Sequence, residues 1–173
     1  MRQLIISCSL SPTSRSALLA NRLASALRDA GAEADLMDLR HIELPMCDAA
    51  SCYEHPNVQQ MQQAIGGAAA VTIATPIYNY EVGGATRNLI ALTGQAWTDK
   101  IVGFLCGAGG QGSYMSVMGL ADSLMLDFRS IIVPRFVYAT GDAFDGDRIV
   151  DAQIEQRIEQ LAGQLLRFAA ALA

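Results

Sequence analysis

Three short segments gather groups suited to gripping a small polar ligand. Ser9-Leu10-Ser11-Pro12-Thr13-Ser14-Arg15-Ser16 carries hydroxyls at positions 9, 11, 13, 14 and 16 beside one guanidinium. At the start of a helix such a segment suits a dianion, because unpaired backbone N–H groups and the positive end of the helix dipole face it. Ser14 alone would suffice for an ordinary N-cap, so hydroxyl density leaves that plainer reading open. Thr75-Pro76-Ile77-Tyr78-Asn79-Tyr80-Glu81-Val82-Gly83-Gly84 mixes aromatic, amide and free backbone groups. A planar heterocycle needs that mixture: apolar walls for its faces and a few N–H and C=O groups for its polar edge. Gly107-Ala108-Gly109-Gly110-Gln111-Gly112-Ser113 has so little side chain that a ligand can lie on the backbone itself.

GxxxxGK[ST] does not occur, and GAGGQG at Gly107 to Gly112, though it matches GxGxxG, follows the fourth strand rather than the first, so a nucleoside triphosphate or a Rossmann-type dinucleotide is not indicated and a mononucleotide fits better. A phosphatase loop of the form C-x5-R is excluded because Cys8 and Arg15 are spaced C-x6-R, and no Asp-Pro dipeptide supplies a general acid. A receiver-type signalling domain needs paired acids after its first strand, where this chain has Ser7 and Cys8. The acids Asp142, Asp145 and Asp147 lack the alternate spacing and the closing Glu of a calcium loop, and read as a solvated turn. Cys8, Cys47, Cys52 and Cys106 match no paired zinc spacing; Cys8 and Cys106 read as small buried residues at strand ends, and Cys47 and Cys52 share one loop. His41 and His55 read as surface residues of the connection after strand two.

The elements that must position these loops are legible as alternation. Short apolar β-rich runs at Leu4 to Ser7, Ala34 to Leu39, Ala69 to Thr75, Ile101 to Cys106 and Ser130 to Val133, the last continuing in some form to Ala139, alternate with helical stretches. That is a doubly wound α/β pattern with five parallel strands. Leu19, Leu23, Ala26, Leu27 and Ala30 line one face of a first helix that starts at Ser14 to Ser16 and stops at Gly31. Ile154, Ile158, Leu161, Leu165 and Phe168 line the last. The helix after Gly112 has a stripe of Val117, Leu120, Ala121, Leu124 and Phe128, with Met115, Met118 and Met125 outside it, which predicts a homo-oligomer or gap-filling core methionine. The three loops follow strands one, three and four, neighbours at the switch point of a sheet ordered 2-1-3-4-5, where ligands of open α/β sheets bind.

The 173 residues, 51% of them hydrophobic, suit a single domain spanning the chain, and a net charge of −5 disfavours nucleic acid and anionic membranes as partners. The most apolar stretch, about Ala64 to Ile77, is too short to span a bilayer. Met1-Arg2-Gln3 before a short apolar run has no leader character, so the expected location is cytoplasmic.

With these segments on the page, the chain resembles the NAD(P)H-dependent FMN reductase family, which includes quinone, azo-dye and chromate reductases. SCSLSPTSRS is similar to the family's GS-x-R-x-x-S phosphate loop, TPIYNYEVGGATRN to its P-x-YN-x-x-x-PG-x-LKN segment, and GAGGQG to its third turn. The resemblance implies a flavodoxin-like fold and FMN as cofactor with NADPH or NADH as reductant. It implies that Ser9, Ser11, Ser14, Arg15 and Ser16 hold the FMN phosphate. Pro76, Ile77, Tyr78, Asn79 and Tyr80 would line the isoalloxazine, and Gly109, Gly110 and Gln111 its pyrimidine edge or ribityl chain. Hydride would pass from nicotinamide to flavin and then to a small acceptor such as free flavin, a quinone, an azo compound or an oxidised metal, with no dedicated catalytic side chain. A homodimer or homotetramer is implied too. Departures are Ser11 for Arg, Gly83 for Pro and Arg87 for Lys, and the Ser-Arg-Ser version of the first loop is similar to the alkanesulfonate-linked flavin reductases. A flavodoxin-type electron carrier without enzymatic activity is the alternative.

Overall fold

The computed structural model describes residues 1–172. In chain order the elements are β1 (Arg2–Ser7), α1 (Arg15–Asp29), β2 (Glu33–Asp38), α2 (Pro56–Gly66), β3 (Ala70–Tyr78), β4 (Glu81–Val82) and α3 (Gly84–Thr93). There follow β5 (Ile101–Gly107), α4 (Met118–Phe128), β6 (Ile131–Ile132), β7 (Val137–Ala139), β8 (Phe144–Asp145), β9 (Arg148–Ile149) and α5 (Ala152–Ala171). The main sheet runs β2-β1-β3-β5-β6 with β7 also on β5, all in parallel pairings, and β4 folds back antiparallel on β3. This is the expected doubly wound order, with β5 as the fourth strand and β6 and β7 together as the fifth.

The central strands β1, β3 and β5 are buried on both faces, which is why they read as continuous apolar runs. Leu4, Ile6, Val71, Ile73, Val102 and Phe104 point to one side and meet Met61 and Ile65 of α2, Leu89 of α3, and Leu120 and Leu124 of α4. Ile5, Ala70, Ala74, Ile101, Leu105 and Val137 point to the other and meet Leu19, Leu23 and Leu27 of α1 and Ile158, Leu161 and Leu165 of α5. Phe168 is only partly buried, and Ala169 completes the α5 face instead.

Local chemistry explains the boundaries. Ser14 caps α1 by accepting the Ala17 N–H at 3.0 Å, and Gly31 follows the helix at φ +81°. The fifth strand is interrupted because Pro134 has no N–H to give and Arg135 sits at φ +62°. His55 is no free surface residue; its Nδ1 accepts the Asn57 N–H at 3.2 Å and caps α2.

The helix expected after Gly112 begins later. Residues Gln111–Val117 form 3-10 turns with a non-helical Ser113, and the α-helix starts at Met118. Three glycines in four positions disfavour a helix here, and Tyr138 draws the segment aside, its hydroxyl donating to Gly110 O at 2.6 Å and lying 2.7 Å from Ser113 Oγ. Leu120, Ala121, Leu124 and Phe128 of α4 are buried, whereas Met115, Met118, Met125 and Leu126 are 58%, 42%, 40% and 77% exposed. Those methionines are not core filling.

Candidate functional site

The C-terminal ends of β1, β3 and β5 open into one cleft of about 1240 Å³. Register brings them there: Ser7 pairs with Ala74, and Pro76 with Gly107, so the segments leaving the three strands emerge side by side. Of the residues expected from sequence, Ser9, Ser11, Ser14, Arg15, Ser16, Pro76, Ile77, Tyr78, Asn79, Tyr80, Gly109 and Gly110 line the cleft. Gln111 does not; its Nε2 turns to Thr140 Oγ1 at 3.4 Å.

The first wall is the serine-rich loop. Ser9 Oγ accepts the Ser11 N–H and Ser11 Oγ the Thr13 N–H, both at 3.3 Å, so the hydroxyls curl the loop over the start of α1. Ser14 Oγ is shared between the Ala17 N–H and Ser16 Oγ, the latter at 3.1 Å. The N–H groups of Arg15 and Ser16 occupy the first helical positions, where no intrahelical carbonyl reaches them, and the first turn holds no acid. Gly107 presses on this corner: a Cβ there would stand 3.1 Å from Ser16 N. Only a residue without a side chain leaves that donor open.

Arg40, just beyond β2, is a functional candidate that the sequence reading missed. It lines the cleft, donates to Pro12 O at 3.3 Å, and forks onto Asp38, with Nη2 2.6 Å from Oδ2 and Nε 3.1 Å from Oδ1. Burial alone would raise the Asp38 pKa, but the hydrogen bonds and charge of Arg40 hold it below the usual aspartate value. A depressed carboxyl adds stability that is fully present above the unfolded pKa, about 3.9, and is lost as pH falls through the folded one. Replacing Arg40 with Gln should therefore cost about 1 kcal/mol at neutral pH, less in salt. Urea midpoints of the two proteins should draw together as pH falls from about 3.9 through the lower folded-state value, and a difference undiminished once Asp38 is protonated in both would deny the coupling.

The second wall is not a plain loop. β3 continues through Pro76, Ile77 and Tyr78 and turns back through Asn79 and Tyr80, at φ +51° and +66°, to pair Tyr78 with Glu81 and Ile77 with Val82. Two consecutive left-handed residues make the tight hairpin turn whose twist suits flanking strands; Asn accepts that conformation readily and Tyr does not. Tyr78 and Tyr80 remain 56% and 64% exposed at the cleft, and the Tyr80 hydroxyl bonds Gly112 O, tying this wall to the third. Behind it Thr75 Oγ1 and Thr86 Oγ1 lie 2.7 Å apart, and Gly83 N–H donates to Pro76 O at 2.9 Å. A Cβ on Gly83 would meet Pro76 Cγ at 2.9 Å. Gly83→Ala should thus push Pro76 into the cleft, lowering stability by about 1–3 kcal/mol and weakening ligand on the same wall. A variant with wild-type melting temperature and affinity would show that the contact relaxes freely.

The segment read as a solvated turn contributes as well. β8 and β9 form a hairpin through Gly146, at φ +57°, and Phe144, Gly146 and Asp147 reach the rim. The Arg15 guanidinium lies 5.9 Å from the Phe144 ring centre and against Gly141. Among the described lining residues Arg15 and Arg40 are the cations and Asp147 the only acid, a balance that favours an anion. The long connection after β2 brings only Arg40 to the cleft; the remainder packs on α2 and α3, with Asn88 Nδ2 donating to Pro45 O and Asn57 Nδ2 to Glu43 O. Cys8 is fully buried, and burial pushes its thiol up to about 12, so it is no nucleophile.

The sequence model of a family described as NADPH-dependent FMN reductase matches residues 1–145. The chain belongs to that family. A reductase of Geobacillus thermodenitrificans (strain NG80-2), named NAD(P)H-dependent FAD/FMN reductase, is 29% identical over 135 residues, covering 76% of this chain and 72% of that protein. The chain also superposes on the flavoenzyme NAD(P)H:(acceptor) oxidoreductase FerB from Paracoccus denitrificans with a TM-score of 0.79 at 18% identity, over 98% of this chain and 97% of that one. An oxidoreductase from Corynebacterium diphtheriae gives 0.78 at 19%, over 99% and 98%. These two likenesses concern the flavodoxin-like fold. As an FMN reductase family member the chain is an oxidoreductase that works with FMN and NAD(P)H on a small-molecule acceptor. The residues of the cleft would suit FMN: open N–H donors and hydroxyls at one end, a hairpin with two exposed tyrosines at the other, and glycine backbone between.

Proposed function

We propose that this cleft holds FMN with its phosphate at the start of α1 and its ring against the Pro76 to Tyr80 hairpin, and that the protein passes electrons from NADPH or NADH to a free flavin, quinone, azo compound or oxidised metal ion. The observation that carries the reading is the convergence of three chemically different walls on one space. When bound, FMN supplies the chemistry by accepting hydride from nicotinamide and releasing the electrons to the acceptor. The chain's own contribution is placement. Ser9, Ser11, Ser14 and Ser16 offer hydroxyls, Arg15 and Ser16 offer N–H groups, and Arg15 and Arg40 offset phosphate charge. Pro76, Ile77 and Tyr78 present a flat wall, Asn79 and Tyr80 an edge, and Gly109 and Gly110 bare backbone. Gln111 steadies the third loop through Thr140. The cleft exceeds the roughly 300–1,000 Å³ of a site for one drug-sized ligand, which agrees with two ring systems stacked in it.

The test is turnover. NADPH and NADH oxidation should require FMN and should deliver two electrons per nicotinamide to reduced acceptor with each acceptor class that fits. Nicotinamide oxidation at an equal rate without FMN, or without reduced acceptor, would refute the reading.

The exposed Met115, Met118, Met125 and Leu126 beside the third loop support assembly as a homodimer or homotetramer. Leu126→Lys should reduce the mass seen by light scattering to that of a monomer while leaving the melting temperature of the fold within a few degrees. A wild-type protein that is already monomeric at micromolar concentration would contradict this.

A further inference from the structure

Outside the flavin cleft, the connection between β2 and α2 brings two thiols together with unequal surroundings. Cys47 Sγ and Cys52 Sγ lie 3.9 Å apart. The turn between them is built by Asp48: its Oδ1 accepts the N–H groups of Ala50 and Cys52 at 2.8 and 3.1 Å, and its Oδ2 accepts the Ser51 hydroxyl at 2.8 Å. Ala49, at φ +56°, completes the reversal. The Cys47 backbone is pinned, its N–H donating to Asn88 Oδ1 at 2.9 Å, while Asn88 Nδ2 holds Pro45 O at 2.9 Å. Cys52 is 4% exposed and packs with Val58 and Leu92; Cys47 is half-buried at the edge of that cluster. The Tyr53 hydroxyl stands 3.7 Å from Cys47 Sγ, and the Cys52 thiol donates toward the same sulfur.

We propose that Cys47 and Cys52 form a reversible dithiol–disulfide couple oxidised by hydroperoxides, with Cys47 as the attacking sulfur and Cys52 as the resolving one. In the first step the Cys47 thiolate attacks one oxygen of ROOH. An S–O bond forms, the O–O bond breaks, and the departing alkoxide takes a proton to leave as ROH; Cys47, now a sulfenic acid, has lost two electrons and the peroxide has gained them. In the second step Cys52 attacks Cys47 Sγ, the S–O bond breaks, and hydroxide leaves with the Cys52 proton as water. The sum is two thiols and ROOH to one disulfide, ROH and water. Closing the pair to a bond of about 2.05 Å requires the sulfurs to approach by roughly 2 Å, which rotation of the Cys47 side chain about its pinned backbone supplies once it leaves Tyr53.

The electrostatics agree with this division of roles. The Ala49 N–H and then the Tyr53 hydroxyl hold the Cys47 thiol below the usual cysteine range, outweighing burial, whereas burial and then Asp48 raise Cys52. Cys8 and Cys106 are internal controls, since burial pushes both up to about 12.

The test needs neither flavin nor reductase activity. Fully reduced protein is treated with one equivalent of hydrogen peroxide, alkylated with iodoacetamide, and mapped by peptide mass. The expected product is an intramolecular Cys47–Cys52 disulfide that dithiothreitol reverses, with Cys8 and Cys106 still thiols. In Cys52→Ser, dimedone should trap a sulfenic acid on Cys47. That Cys47 should react on the order of tenfold faster than Cys52 in Cys47→Ser, and Tyr53→Phe should slow it and move its pH midpoint upward. The proposal is overturned if both residues remain alkylatable, if wild-type Cys47 runs on to sulfinic acid unpaired, or if only intermolecular disulfides form.

Discussion

Ser11→Asp should weaken FMN binding by a factor of about 30 or more while leaving riboflavin binding within about twofold. The expectation comes from charge. Ser11 Oγ accepts the Thr13 N–H at 3.3 Å, and a carboxylate oxygen can take over that bond, so the loop keeps its shape. The new charge then faces the phosphate end of the cleft, beside the open N–H groups of Arg15 and Ser16. A unit charge about 5 Å from a dianion costs roughly 2 kcal/mol in water and several times more at an effective dielectric near 20, and about 2 kcal/mol is already some 30-fold in affinity. Riboflavin has the same ring and ribityl chain but no phosphate, so it separates charge repulsion from damage to the cleft. Fluorescence titration of both ligands on both proteins is the check. Equal losses for FMN and riboflavin would mean that the substitution had deformed the loop, and no loss for either would mean that the phosphate lies elsewhere.

The second large effect is expected at Gly107. Its position is set by β5, which pairs it with Pro76 of β3 on one side and Ala139 of β7 on the other. A Cβ there would sit 3.1 Å from Ser16 N, 3.5 Å from Ser16 Cβ and 3.6 Å from Arg15 Cβ. Gly107→Val therefore covers the Ser16 N–H and drives the start of α1 away from the sheet. Overpacking of this kind costs about 1–3 kcal/mol of stability, and loss of one charge-assisted donor costs binding about 1.5–3 kcal/mol more. FMN affinity should fall about 10- to 150-fold, with the melting temperature lowered by several degrees. Gly107→Ala should show a smaller version of both losses. Valine with unchanged FMN affinity would remove Ser16 from the account of the site.

The three cleft walls were legible because each is written in residue types that a continuous strand or helix would not use: serines at a helix start, Pro76 and Asn79 at a strand end, and glycines after β5. The central strands were legible because both faces are buried, so apolar runs are unbroken. What escaped was whatever depends on a neighbouring strand. Arg40 lies far from the serine loop in sequence and enters the cleft because β2 pairs with β1, Ser7 opposite Asp38. Knowing the strand order, a residue just past β2 is a sensible place to look for such a cation. The β8–β9 hairpin had a local signal, Gly146-Asp147 between Phe144 and Ile149, a dipeptide that marks a two-residue hairpin turn. Its acids drew attention away from that dipeptide. Tyr138, which anchors the third loop, had none, because its partners, the Gly110 carbonyl and the Ser113 hydroxyl, are placed by tertiary packing. Gln111 shows the converse: its position in a glycine-rich turn pointed to the ligand, and its amide is engaged by Thr140 instead.

The central claim is that this chain binds FMN and takes electrons for it from NAD(P)H. The most direct measurement is the visible spectrum of the purified protein, supplemented with FMN if colourless, on anaerobic addition of NADPH and, separately, NADH. The account predicts a bound-flavin spectrum that bleaches on reduction and returns when an acceptor is admitted, with Ser11→Asp showing bleaching only at much higher FMN. Flavin colour that neither nicotinamide bleaches, at any FMN concentration, would contradict it.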